Sequence, residues 1–144
     1  LTIALFVKKN AESKEWVRLV GKGDSRLRNY GVWEEEKEGK RILFQQYNSA
    51  GQVVLYVMSA GTIEPGRWIH VACVVQGNKA FVYINGDLSG QGTRSGPPAT
   101  SEDPLTIGYG LLHSPLNGAL DDVRVYNRAL TAAEVKALSL GIGP

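Results

Sequence analysis

Residues 68–85 read WIHVACVVQGNKAFVYIN, and their pattern decides the fold class. Gly77-Asn78 is a two-residue hairpin signal between two apolar runs. In the first run Ile69, Val71, Cys73 and Val75 take one parity and Ala72 and Val74 the other, so both faces are apolar. Such a strand belongs at the centre of a sheet that is covered on both sides. Asn85-Gly86 marks another tight turn directly afterwards. Outward from here, period two dominates. Strands are expected at residues 1–7, 16–20, 30–33, 41–47, 52–58, 68–76, 79–85, 105–108 and 119–126, with NSAG turning between 41–47 and 52–58. Residues 86–103, rich in Gly, Ser, Thr and Pro, are expected to form a surface loop. The one convincing helix follows Thr131, where T-A-A-E makes a capping box with Glu134. Leu130 can staple onto Val135, and Gly141 can end the helix. The expected fold is all-β, an antiparallel two-sheet β-sandwich (jelly roll) with one short C-terminal helix.

Composition narrows the function classes. The 144 residues suit a single domain, 1–144, with no need of disulfides or metal to fold. Apolar residues at 43% and charged residues at 21% are ordinary for a globular chain and argue against disorder. Sixteen basic against fourteen acidic residues leave a net charge of +2, too small to imply nucleic acid or an anionic membrane as partner. No apolar run approaches the roughly 20 residues of a membrane span, and no basic-then-apolar leader opens the sequence. The single cysteine, Cys73, reads as a small buried hydrophobe.

Four segments of the sequence carry a resemblance. They are GRWIHVACVV (66–75), KAFVYINGDLSG (79–90), LTIGYG (105–110) and LNGALDDVRVYNRALTAAEVKAL (116–138). In this order they resemble the laminin-G-like, concanavalin A-like jelly rolls of bacterial extracellular proteins. The opening LTIALFVKKN resembles an early strand of that family, with Phe6 where a Trp is common. The resemblance covers most of the chain, strongly from Trp68 onward and weakly between Asn10 and Gln52. It implies a further N-terminal strand ahead of this motif, and ligands from that strand are not carried over. It also implies Ca²⁺ near paired carboxylates, here Asp121 and Asp122. Adjacent carboxylates with nearby carbonyls suit a cation that takes six to eight oxygens, while pairing of Asp122 with Arg124 is the bland alternative.

The remaining candidates divide between catalysis and recognition. Glu34, Glu35, Glu36 and Glu38 form a carboxylate cluster, and on a strand Glu34 and Glu36 would share a face. The E-x-D-x-E strand of the fold's glucanases is absent, and a solvated hairpin end is the better reading. His70 reads as a hydrogen-bonded packing residue and His113 as an exposed loop residue; neither has metal-ligand spacing around it. Trp68 and Phe44 lie in apolar runs and are expected in the core. Tyr30, Trp33 and Tyr47 lie among polar neighbours near strand ends, close to Arg41 and Gln45. Exposed rings flanked by Arg and Gln are what a sugar needs: a face to stack on and directional groups to read its hydroxyls. The alternative is that these rings pack under loops. Should Trp33 be a packing residue, the loop 86–103 or the region 109–113 becomes the place to look.

The expected function is therefore non-catalytic glycan binding by a module of a larger secreted or cell-surface protein. A structural or adhesion module that binds protein is the second reading. A glycoside hydrolase or polysaccharide lyase on the same fold is the third.

Overall fold

The structure is a computed structural model that describes residues 1–13, 15–23, 27–35, 40–110 and 113–143. Ten strands precede one helix: β1 (Thr2–Lys9), β2 (Val17–Lys22), β3 (Tyr30–Glu34), β4 (Arg41–Tyr47), β5 (Val53–Thr62), β6 (Ile69–Gln76), β7 (Lys79–Ile84), β8 (Asp87–Thr93), β9 (Leu105–Ile107), β10 (Gly118–Tyr126) and α1 (Ala132–Ser139). They form two antiparallel five-stranded sheets, ordered β10-β1-β6-β7-β8 and β5-β4-β3-β2-β9. The jelly-roll sandwich expected from the period-two pattern is what the chain adopts. Among the described residues, no helix is long and apolar enough to cross a membrane.

The core lies between the sheets. Ile3, Leu5 and Val7 of β1 and Val71, Cys73 and Val75 of β6 face Val32 of β3, Ile42 and Phe44 of β4, and Leu55 and Val57 of β5. Burial pushes the Cys73 thiol far up, so it is an inert core side chain. β6 holds the central position its sequence foretells. Its second face, with Ala72 and Val74, is covered by Leu130, Val135 and Leu138 at and inside α1. The helix thus covers the outer face of the first sheet. Its start is as read: the Thr131 side chain accepts from the Glu134 N–H, and Glu134 reaches back to the Thr131 N–H.

Four expectations need correction. First, β8 lies inside the stretch expected to be loop. Asn85 and Gly86, both with positive φ, turn β7 directly into it. Its glycines obscure it in the sequence, but they have a packing reason: a Cβ on Gly90 would collide with the Met58 carbonyl, and one on Gly92 would lie 2.8 Å from Val57 Cγ2. β8 and β5, edge strands of opposite sheets, close the sandwich there, and the Gly61 N–H donates to Ser89 Oγ at 2.8 Å.

Second, Trp68 precedes its strand and is 46% exposed, outside the core. Third, β10 does not alternate simply. Two residues, Asp122 and Val123, oppose Leu5 alone, and Asp122 has φ +50°. This bulge shifts parity, so Leu120 and Val123, three residues apart, both pack toward the core, where strict alternation would put them on opposite faces. Fourth, Glu34 is not a solvated hairpin residue. It is 1% exposed on the inner face and accepts from Lys9 Nζ at 2.6 Å, joining β3 to β1 of the other sheet. Glu36 and Glu38 lie outside the described residues.

Candidate functional site

The outer face of the second sheet carries an unusual set of side chains. Across it, Arg18 of β2 pairs with Trp33 of β3, and Trp33 with Leu43 of β4. Along the next row, Gly31 pairs with Gln45, and Gln45 with Tyr56 of β5. Gly31 is what lets the indole lie down: a Cβ there would collide with Trp33 Nε1. The ring is then covered from several sides. Arg18 Cζ and Arg28 Cζ each sit 4.7 Å from its centroid, and His113 meets it edge-on at 4.6 Å. Trp33 is consequently only 2% exposed.

Arg28 is placed by the backbone. The Tyr47 N–H donates to the Arg28 carbonyl at 2.9 Å, which continues the β3–β4 pairing beyond the strand end. Its guanidinium packs between the Trp33 and Tyr47 rings, 5.1 Å from the latter, and Nη1 donates to Gln45 Oε1 at 2.7 Å. Arg28 Nε and Trp33 Nε1 are buried without a hydrogen-bond partner. Between these groups opens a cavity of about 240 Å³. Trp33, Trp16 and Tyr56 supply rings, Leu43 an apolar wall, and Arg28, Gln45 and His113 the polar groups. Tyr56 is 54% exposed and forms the open rim.

The five residues expected to bind sugar therefore separate. Trp33 and Gln45 line this cavity, and Tyr47 backs Arg28 beside it. Tyr30 points inward and belongs to the core. Arg41 is engaged with Glu35 in a bidentate pair, Nε–Oε2 2.9 Å and Nη2–Oε1 2.8 Å, which holds its guanidinium firmly protonated. The expectation that Trp33 offers an open face fails, because arginines occupy the space above it. Sequence reading missed Trp16, Arg28 and Tyr56. Tyr56 alone had a signal: an exposed ring on the strand that pairs with the one bearing Gln45. His113, expected in an exposed loop, is half-buried against Trp33.

His70 packs as expected but without the expected hydrogen bond. Its ring lies edge-on to Phe6 at 5.0 Å, and its Nδ1 has no partner. Burial pulls its pKa down to about 4. Asp121 and Asp122 are both exposed on β10. Asp122 Oδ1 accepts from Arg124 Nε at 2.8 Å, and Asp121 Oδ1 accepts from the Asp122 N–H at 2.7 Å. Among the described residues no group of three His, Cys, Asp or Glu side chains is placed to hold a metal ion. As arranged, the pair does not complete the shell of six to eight oxygens that Ca²⁺ takes.

Known structures share this architecture. The carbohydrate-binding module CBM40 of the Ruminococcus gnavus IT-sialidase, bound to α2,3-sialyllactose, superposes with a TM-score of 0.79 at 16% identity, over 96% of this chain and 81% of that one. A heptameric SAP-like pentraxin from Limulus polyphemus gives 0.73 at 22% identity, over 99% and 70%. Domain 4 of AbnA, an extracellular GH43 arabinanase from Geobacillus stearothermophilus, in complex with arabinotriose, gives 0.73 at 23% identity, over 96% of this chain and 65% of that one, so the chain spans just under two thirds of it. At these identities the likeness is one of fold. The sequence itself goes further, because the laminin-G-type profile of the concanavalin A-like lectin/glucanases superfamily matches residues 1–136. With nearly the whole chain matched and the two-sheet jelly roll in place, the protein belongs to that superfamily.

Proposed function

We propose that the chain is a non-catalytic carbohydrate-binding module of a larger secreted or cell-surface protein, and that the cavity beside Trp33 is its sugar site. The observation that carries this reading is the make-up of the cavity: rings on several sides, with an arginine and a glutamine held in fixed positions by strand pairing. Sites on strands hold side chains more rigidly than loops do. At about 240 Å³ the cavity is smaller than the roughly 300 Å³ at which drug-sized pockets begin, a size for one sugar ring. Two of the similar structures hold an oligosaccharide, which favours the same chemistry here. The absence of a carboxylate among the described lining residues favours binding over hydrolysis, since glycosidases generally use two.

The test is a glycan array followed by calorimetry, with a reducing-end assay on every sugar that binds. Binding without product release is expected. Tyr56→Ala should weaken it by about 1–2 kcal/mol, five- to thirty-fold, without loss of fold, because this ring stands at the rim. Trp33→Ala is the wrong probe: emptying so buried a site should cost about 3–5 kcal/mol of stability. Silence on every glycan with capture of a protein partner would favour the adhesion reading instead.

Calcium at Asp121 and Asp122 is a separate proposal with its own test. An ion there has to compete with Arg124 for Asp122. If it binds, millimolar Ca²⁺ raises the melting temperature by mass action, and the Asp121→Ala, Asp122→Ala double variant abolishes the rise. An unchanged melting curve retires the proposal.

A further inference from the structure

We infer that the sugar taken by this cavity bears a carboxylate, and that Arg28 is the group that selects it. The inference rests on the cavity's being the sugar site. Among the described residues Arg28 has no ion-pair partner, and no Asp or Glu lines the cavity. Arg41, at the opposite end of β4, shows the contrast, since Glu35 fully engages it.

The surroundings of Arg28 make the lack of an anion costly. Its guanidinium is held between two rings, Trp33 at 4.7 Å and Tyr47 at 5.1 Å, and donates one hydrogen bond to the protein, to Gln45 Oε1. Ring faces partly offset the desolvation of a cation, yet they accept no strong hydrogen bond. Its buried Nε–H has no acceptor at all. A planar guanidinium with donors to spare is the natural partner of a carboxylate, which it meets through two parallel hydrogen bonds. Gln45 fixes the plane from one side and leaves the remaining donors for a ligand.

A hydroxyl would satisfy a donor but leave the charge uncompensated in a partly desolvated site, so a neutral sugar gains less here than its acidic counterpart. The same carboxylate occurs on hexuronic acids and on nonulosonic acids, which differ in the shape that surrounds it. Tyr56 and Trp16 at the cavity wall would discriminate between those shapes, while Arg28 reads the feature they share.

The experiment compares each acid with a neutral form of the same sugar. Wild-type protein is titrated with tri-galacturonate and with its methyl ester, and separately with sialyllactose and lactose. The expected result is that at least one acid binds ten-fold or more tighter than its neutral form, with the advantage shrinking as salt rises. Which pair shows it identifies the source. In Arg28→Gln the acid-to-neutral ratio should fall towards one, and Arg28→Lys, which keeps the charge but loses the planar fork, should recover only part of it. Equal binding of acid and neutral forms by the wild type would overturn the inference and leave the sugar site standing. No binding of any sugar by folded wild-type protein would overturn the sugar site itself. Because the acid-to-neutral comparison is read in the wild type, it holds whether or not the Arg28 variants fold.

Discussion

His70 shows how one side chain can set the acid limit of this domain. It is 2% exposed, wedged edge-on against Phe6, with an unpartnered Nδ1. Burial lowers its pKa to about 4, with the Arg124 charge adding to the effect and Asp122 opposing it. In the unfolded chain it returns to about 6.5. Between these values the unfolded state takes up a proton that the folded state refuses. The contribution to stability is therefore complete above pH 6.5 and is lost as pH falls towards 4, with a ceiling of about 3 kcal/mol. Urea denaturation at pH 7.5 and 4.5 should show this loss, and His70→Phe, which keeps a ring in the space, should flatten it. An equal acid loss in the variant would assign the effect to other groups. Tryptophans mark the limit of legibility at this scale. Trp68 sits in an apolar run yet is exposed, while Trp33 sits among polar residues yet is buried. Neighbours along a strand report little about burial, because the groups that cover Trp33 are Arg18, Arg28 and His113, brought from other elements.

At the level of elements, the features with local causes were legible and those with distant causes were not. The Asn85-Gly86 turn and the Thr131 capping box follow from a few adjacent residues. β8 does not, because its glycines answer to the close passage of β5, some thirty residues earlier in the chain. The bulge at Asp122 was hidden for a similar reason, since it compensates a register set between β1 and β10. The β8 account is open to measurement. Gly90→Ala should destabilise the fold by about 1–3 kcal/mol, because the new methyl meets backbone that cannot move aside. Gly96→Ala is the control: its Cβ would stand 3.6 Å from Val54 Cγ1, an ordinary contact, and should melt close to wild type. Equal melting of both variants would mean that β5 can yield.

For the whole molecule, the sandwich was legible because alternation along many strands repeats the same message. The cavity was not, because it draws on β3, β4 and β5 and on residues 16, 28 and 113, which lie outside the strands. Only the pairing of Gln45 with Tyr56 and Trp33 with Leu43 assembles it. Trp33 and Gln45 were within reach of sequence reasoning because a large ring and an amide among polar neighbours stand out on their own strands.

The ion pair of Lys9 and Glu34 has a consequence for how the two sheets rest on each other. Attraction between apolar faces is non-directional: it resists separation but has little to say about sliding. A slide of two residues along a strand, roughly 6.6 Å, would bring hydrocarbon back over hydrocarbon. It would also strand the Glu34 carboxylate, now 1% exposed, without its partner in that hydrocarbon, while Lys9 kept only Glu12. The pair acts as a locating pin at one corner of two plates. Trp33 is the next residue along β3, on the opposite face, so whatever pins Glu34 also sets the floor against which a ligand would be measured.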